Sequence, residues 1–109
     1  MQIKKVGVIG AGQMGNGIAH VLSLGGYNVI LNDIDKNILE KASNNIKNNL
    51  ERQVNSKKIS TAESNTALKL IDYTVSLEEF NEVDLVIEEA TENEEIKQKI
   101  LSSLLPHIH

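Results

Sequence analysis

Three glycines stand at fixed spacing in the stretch VGVIGAGQMGNGIAH, Val6 to His20: Gly10, Gly12 and Gly15. Glycine costs backbone entropy and weakens a helix, so the missing side chains must serve some purpose. The residues before Gly10 are apolar and β-branched, as in a buried parallel strand. Those after it place Met14, Ile18, Val21 and Leu22 at helical spacing. Between a strand and a helix, each glycine of G-x-G-x-x-G has a mechanical sense. Gly10 lets the chain turn tightly, Gly12 lets backbone approach a pyrophosphate, and Gly15 lets the helix pack close to the strand. The helix N-terminus then offers free N–H groups and a partial positive charge to phosphates. The segment Gly10, Ala11, Gly12, Gln13, Met14, Gly15 is therefore a candidate dinucleotide-binding loop.

A second group strengthens the first. Asp33 ends the apolar run YNVILND and lies 18 residues beyond Gly15, near the spacing of ~20 expected for the acid that accepts from the adenosine ribose hydroxyls. A carboxylate there repels a 2′-phosphate, and no Arg follows directly. The pair of features favours NAD over NADP. The alternative is that Asp33 only begins a turn and helps to cap the next helix.

These groups need a scaffold, and the hydrophobic pattern supplies one. Strands are expected at Gln2–Ile9, Tyr27–Asp33, Ile71–Val75 and Val83–Ala90. A first helix runs to about Leu24 and stops at Gly25-Gly26. Asp35 is a fair N-cap for a long second helix with Ile38, Ala42, Ile46, Leu50 and Val54 every four residues. STAE at Ser60 and SLEE at Ser76 both read as capping boxes, for a helix to about Leu70 and for a helical turn. A last helix is expected from about Asn93 to Leu105. The alternation predicts an α/β fold of Rossmann type, a doubly wound parallel sheet of strand order 3-2-1-4 with right-handed crossovers. A helical arm at about residues 35–70 separates strands 2 and 3. The chain stops where a fifth strand would begin, which leaves strand 4 at an edge.

Composition bounds the rest. The chain has 109 residues, enough for one small domain. With no Cys there is no disulfide, thiol catalysis or Cys-ligated metal, consistent with a reducing, cytoplasmic setting. No apolar run is long enough to span a membrane. The net charge of −4 argues against nucleic acid. It is uneven: residues 1–50 carry five Lys against three acids, and residues 51–109 six Lys or Arg against twelve. The positive half is the one that holds the glycine loop.

The segments GVIGAGQMGNGIAHVLSLGGYNVILNDID and DLVIEEATENEEIKQKI together resemble the N-terminal domain of the 3-hydroxyacyl-CoA dehydrogenases, including the 3-hydroxybutyryl-CoA dehydrogenases. The resemblance covers nearly all of residues 3–105 and under half of a usual member, which adds a helical domain for catalysis and dimerisation. It implies that Gly10 to Gly15 and Asp33 hold NAD, and that Glu92 and Lys97 sit near the nicotinamide half. It implies that the helical arm meets an acyl-CoA substrate, with Lys57 and Lys58 (and Arg52 nearby) placed for CoA phosphates. At the usual helix contact for CoA, a small hydroxyl residue in the family, this chain has Asn49. It also implies a homo-oligomer. The family's catalytic His and its orienting Glu match nothing here and fall beyond residue 109, so this chain alone is expected to be inactive. His20, His107 and His109 do not match the catalytic position, and no group has metal-ligand spacing. Two other readings stay open: a stand-alone nucleotide-binding module, and another β-hydroxyacid dehydrogenase lineage.

Overall fold

The computed structural model describes residues 3–88. They form β1 (Lys5–Ile9), α1 (Gln13–Leu24), β2 (Asn28–Asn32), α2 (Lys36–Asn55), α3 (Thr61–Leu70), β3 (Ile71–Thr74), a 3₁₀ helix (Leu77–Glu82) and β4 (Leu85–Glu88). The strands make one sheet of order β3-β2-β1-β4, with every pair parallel. This is the expected topology. The strands fall a residue or more inside the expected bounds, and the parallel pairing of β2 with β3 carries on through Asp33, whose N–H donates to the carbonyl of Thr74. The expected last helix lies outside the described residues.

Strand alternation sorts the sheet into two unlike faces. Val6, Val8, Val29, Leu31, Ile71 and Ile87 point to one face and share a core with α1, α2 and α3. From α1 come Met14, Ile18, Ala19 and Leu22; from α2 come Leu39, Ala42, Ile46 and Leu50. One sequence expectation is corrected here. Ile38 is 36% exposed, and Leu39, 6% exposed, takes the inward place. A four-residue step advances ~40° around a helix of 3.6 residues per turn, so the four steps from Ile38 to Val54 cannot keep to one face.

The other face carries Gly7 and Ile30, and a different contact organises it. The ring of Phe80, from the 3₁₀ helix, lies directly on Gly7. A Cβ at residue 7 would come within 2.6 Å of it. The half-buried ring would have to shift to admit such an atom. Gly7 is thus the seat of an aromatic ring contributed from far along the chain.

The connections are held by local chemistry. α1 ends in a Schellman motif: Gly26 N–H donates to Ser23 O and Tyr27 N–H to Leu22 O, with Gly26 at φ +94°. α2 ends in the same motif, through Lys57 N–H to Val54 O and Lys58 N–H to Gln53 O, but here Lys57 takes the left-handed position at φ +62°. Asp35 caps α2 as expected, accepting from Asn37 N–H. At Ser76 the expected capping box does not form, although Ser76 still caps the element. Its hydroxyl accepts from Glu78 N–H, two residues on rather than three, in a 3₁₀ helix with its tighter winding. Its own N–H is taken by Thr74 Oγ1 at 3.0 Å, which leaves nothing for the Glu79 carboxylate. Asp84 ties β4 to β1: its Oδ2 accepts from Lys4 and Lys5 N–H at 2.9 and 3.0 Å. Those bonds hold its carboxyl below the usual range.

Candidate functional site

Parallel strands deliver their C-terminal ends to one edge of the sheet, and the loops that leave those ends meet there. β1 runs into Gly10, and β2, beside it, runs into Asp33. Gly10 turns with φ +101°, a conformation natural only to glycine, and its N–H donates to Asn32 O at 2.7 Å. The loop is thereby bound to the end of β2 before α1 begins.

α1 starts at Gln13 with Gly12 as N-cap. No side chain caps it, and no acid stands in its first turn. The first backbone N–H groups of a helix have no partner within it, so Gln13, Met14 and Gly15 present theirs at this edge. Gly12 and Gln13 are exposed and Met14 is buried in the core. What Met14 offers a ligand is therefore its N–H and not its side chain. Gly15 is obligatory: a Cβ there would collide with the carbonyl of Gly10.

Asp33 completes the edge. Its Oδ2 accepts from Ala11 N–H at 3.0 Å and its Oδ1 from Asp35 N–H at 2.9 Å. The second bond is the turn-forming role that the sequence left open, so Asp33 shapes a turn as well as facing the loop. The helix cap itself is Asp35. An uncapped helix start, a glycine that no larger residue can replace and a fixed carboxylate at the neighbouring strand end suit a pyrophosphate joined to a ribose diol. The residues present fit a dinucleotide.

Beside this edge, a groove of about 570 Å³ opens between the glycine loop and α2, lined among others by Gly12, Gln13, Asn16, Lys41, Asn45 and Asn49. It brings Asn49, expected on the CoA path, into one depression with the loop. Among the described residues no acid lines it, and Lys41 is its one charge. Sequence reasoning missed Lys41 and Asn45. They lie about two turns and one turn before Asn49 on α2, which was the available signal. Lys57 and Lys58 are elsewhere, in a shallower depression at the α2–α3 turn with Ile59, Ser60 and Glu63. Glu92, Lys97, His107 and His109 lie outside the described residues. His20 is buried, its Nε2 2.8 Å from Gln53 Oε1, and links α1 to α2. Among the described residues no cluster of His, Cys, Asp and Glu could hold a metal, and no helix is long and apolar enough to cross a membrane.

The family described as "3-hydroxyacyl-CoA dehydrogenase, NAD binding domain" matches residues 5–109. The chain belongs to that family. Its cofactor is NAD. A 3-hydroxybutyryl-CoA dehydrogenase of Bradyrhizobium diazoefficiens is 53% identical over 103 residues, covering 94% of this chain and 35% of the relative. Another from Mycobacterium tuberculosis is 37% identical over 94% of this chain and 36% of its own length. Among solved structures, the (S)-3-hydroxybutyryl-CoA dehydrogenase PaaH1 of Ralstonia eutropha superposes with a TM-score of 0.79 at 37% identity, covering 94% of this chain and 36% of that one. A 3-hydroxybutyryl-CoA dehydrogenase of Escherichia coli gives 0.81 at 33% identity, over 95% of this chain and 22% of that one. The chain thus spans about a third or less of the relatives it matches. A lactate dehydrogenase of Cryptosporidium parvum, at 22% identity and a TM-score of 0.56, shares the fold.

Proposed function

We propose that this domain serves an NAD-dependent dehydrogenase that interconverts a short 3-hydroxyacyl-CoA, such as 3-hydroxybutyryl-CoA, and its 3-oxo thioester, as a cytoplasmic homo-oligomer. The observation that carries the reading is the meeting of an uncapped α1 with the Asp33 carboxylate at one sheet edge. When bound, NAD accepts the hydride from C3 of the hydroxyacyl group. The residues of this chain do the holding. Gln13, Met14 and Gly15 N–H receive the pyrophosphate at the positive end of α1. Asp33 accepts from the ribose hydroxyls and disfavours a 2′-phosphate, which makes NAD the preferred dinucleotide over NADP. Glu92 and Lys97 are assigned to the nicotinamide half through the family resemblance.

The CoA arm is assigned to α2 and its turn, with Asn49 in the groove and Lys57 and Lys58 toward the phosphates. Two features support this. Among the described residues the groove that contains Asn49 holds a lysine and no acid, and it begins at the loop that would hold the cofactor. By the family resemblance the proton from the C3 hydroxyl goes to a His–Glu pair that matches nothing in residues 1–109, to which we assign the holding of the cofactor and no turnover of their own.

Calorimetric titration with NAD and with NADP tests the cofactor part, with NAD expected to bind more tightly by at least tenfold. Equal affinities would overturn the role given to Asp33. NADH oxidation with acetoacetyl-CoA, compared between residues 1–109 and the chain extended through the catalytic domain, tests the rest. Sustained turnover by residues 1–109 alone would remove the second domain from the mechanism.

A further inference from the structure

Asp33 is placed to do more than receive a ribose. The glycine loop is fastened to the end of β2 at two points. One is backbone to backbone, Gly10 N–H to Asn32 O at 2.7 Å. The other is Ala11 N–H to Asp33 Oδ2 at 3.0 Å, the one of the two that depends on a side chain. Its partner oxygen, Oδ1, is held by Asp35 N–H at 2.9 Å. The carboxylate is therefore pinned at both oxygens by two different loops and cannot rotate. An ionised carboxylate has about four acceptor positions. Two are filled here, which leaves about one on each oxygen for the two hydroxyls of a vicinal diol.

We propose that Asp33 is a positioning residue for the phosphate-binding loop, acting through Ala11 N–H, in addition to its contact with the ribose. Ala11 directly precedes Gly12, the N-cap of α1, so a bond that fixes Ala11 fixes where the N–H groups of Gln13 and Met14 begin. A charge-assisted hydrogen bond is the stronger kind and is well suited to that task. It follows that ribose choice and phosphate affinity are not independent. A substitution at residue 33 made to admit a 2′-phosphate also loosens the grip on the pyrophosphate that both dinucleotides share.

This rests on the dinucleotide reading above, and the test separates the two. In the full-length enzyme, wild type, Asp33→Asn and Asp33→Ala are titrated with NAD and with an NAD analogue that lacks both adenosine-ribose hydroxyls. The analogue cannot use the ribose contact, so any loss with it reports the loop. We expect Asp33→Ala to bind the analogue about five- to tenfold more weakly than wild type does. Asp33→Asn retains an acceptor toward Ala11 without the charge, and about a two- to threefold loss is expected. Hydrogen exchange of the Gly10–Gly12 segment without ligand should quicken at least about tenfold in Asp33→Ala. Unchanged analogue affinity in both variants overturns the proposal, even if exchange quickens, because the loop would then be held to no purpose in binding. Unchanged exchange overturns it as well. A wild-type enzyme that binds neither NAD nor the analogue would overturn the dinucleotide reading instead, and exchange alone would decide whether Asp33 holds the loop.

Discussion

α1 and α3 begin in opposite ways. α3 closes its own start: Ser60 Oγ accepts from Glu63 N–H at 3.0 Å, and Glu63 Oε1 accepts from Ser60 N–H at 2.9 Å. That reciprocal pair satisfies two donors that would otherwise face water. α1 begins with a glycine, no capping side chain and no acid in its first turn. The first arrangement stabilises a helix. The second forgoes that stabilisation, of about 1 kcal/mol, and leaves the donors available to something that is not part of the chain. The contrast sets apart the end of the domain that the proposed function gives to the dinucleotide.

The contrast can be broken most severely at Gly15. In Gly15→Ala the new Cβ meets the Gly10 carbonyl, which is backbone and cannot swing aside. Loop and helix must separate, at a cost of about 3 kcal/mol, the upper part of the usual range for overpacking. Thermal melting should show the loss, and NAD titration should show no saturable binding. A subtler substitution makes α1 resemble α3. Gly12 has φ −66° and ψ −168°, which aspartate adopts without strain. Gly12→Asp should stabilise the fold by about 0.5 kcal/mol yet weaken NAD by about a hundredfold, because its charge stands where phosphates bind. Opposite signs in melting and in titration are the required outcome.

The converse change is Ser60→Ala, which opens α3. It should cost about 1 kcal/mol with NAD affinity unaltered. Because its bonds to Ser60 hold the Glu63 carboxyl below its ordinary 4.5, the stabilisation it gives is present above that pH and is lost as pH falls through the lower, folded-state value. Ser60→Ala keeps the backbone N–H that is the larger cause, so the melting temperatures of wild type and variant should fall together in acid and keep most of their separation. The smallest effect is expected at the other end of α2. Lys57 occupies a left-handed position that Gly26 fills in the equivalent motif after α1. Lys57→Gly should relieve strain and raise stability by about 0.5–1 kcal/mol, read as a higher denaturation midpoint. If Lys57 meets CoA phosphate, the same variant shows a raised KM for the thioester.

Much of this architecture could be read from residues because it is written locally. Strand and helix alternate with clear periods, Asp35 and Ser60 cap the helices expected of them, and the glycine loop falls between strand and helix. What escaped notice was the part that depends on distant partners or on accumulated angle. The exchange of Ile38 for Leu39 on the inner face is a matter of helical drift. The left-handed Lys57 carries no glycine to announce it. That Asp33 bonds Ala11 needs both strand ends in register, and periodicity is silent on that. Lys41 carries no signal of its own in the sequence beyond its spacing from Asn49, and only the groove places it beside Asn49 and the loop.

Gly7 and Phe80 show what such distant dependence means for change over generations. Neither position can vary freely while the other is held. A side chain at residue 7 has no room under the ring, and a smaller residue at 80 uncovers the sheet. Any larger residue at position 7 alone requires the Phe80 ring to move off the sheet. Paired variation opens solutions such as Gly7→Ala with Phe80→Leu, so the two sites are inherited as one unit although 72 residues lie between them.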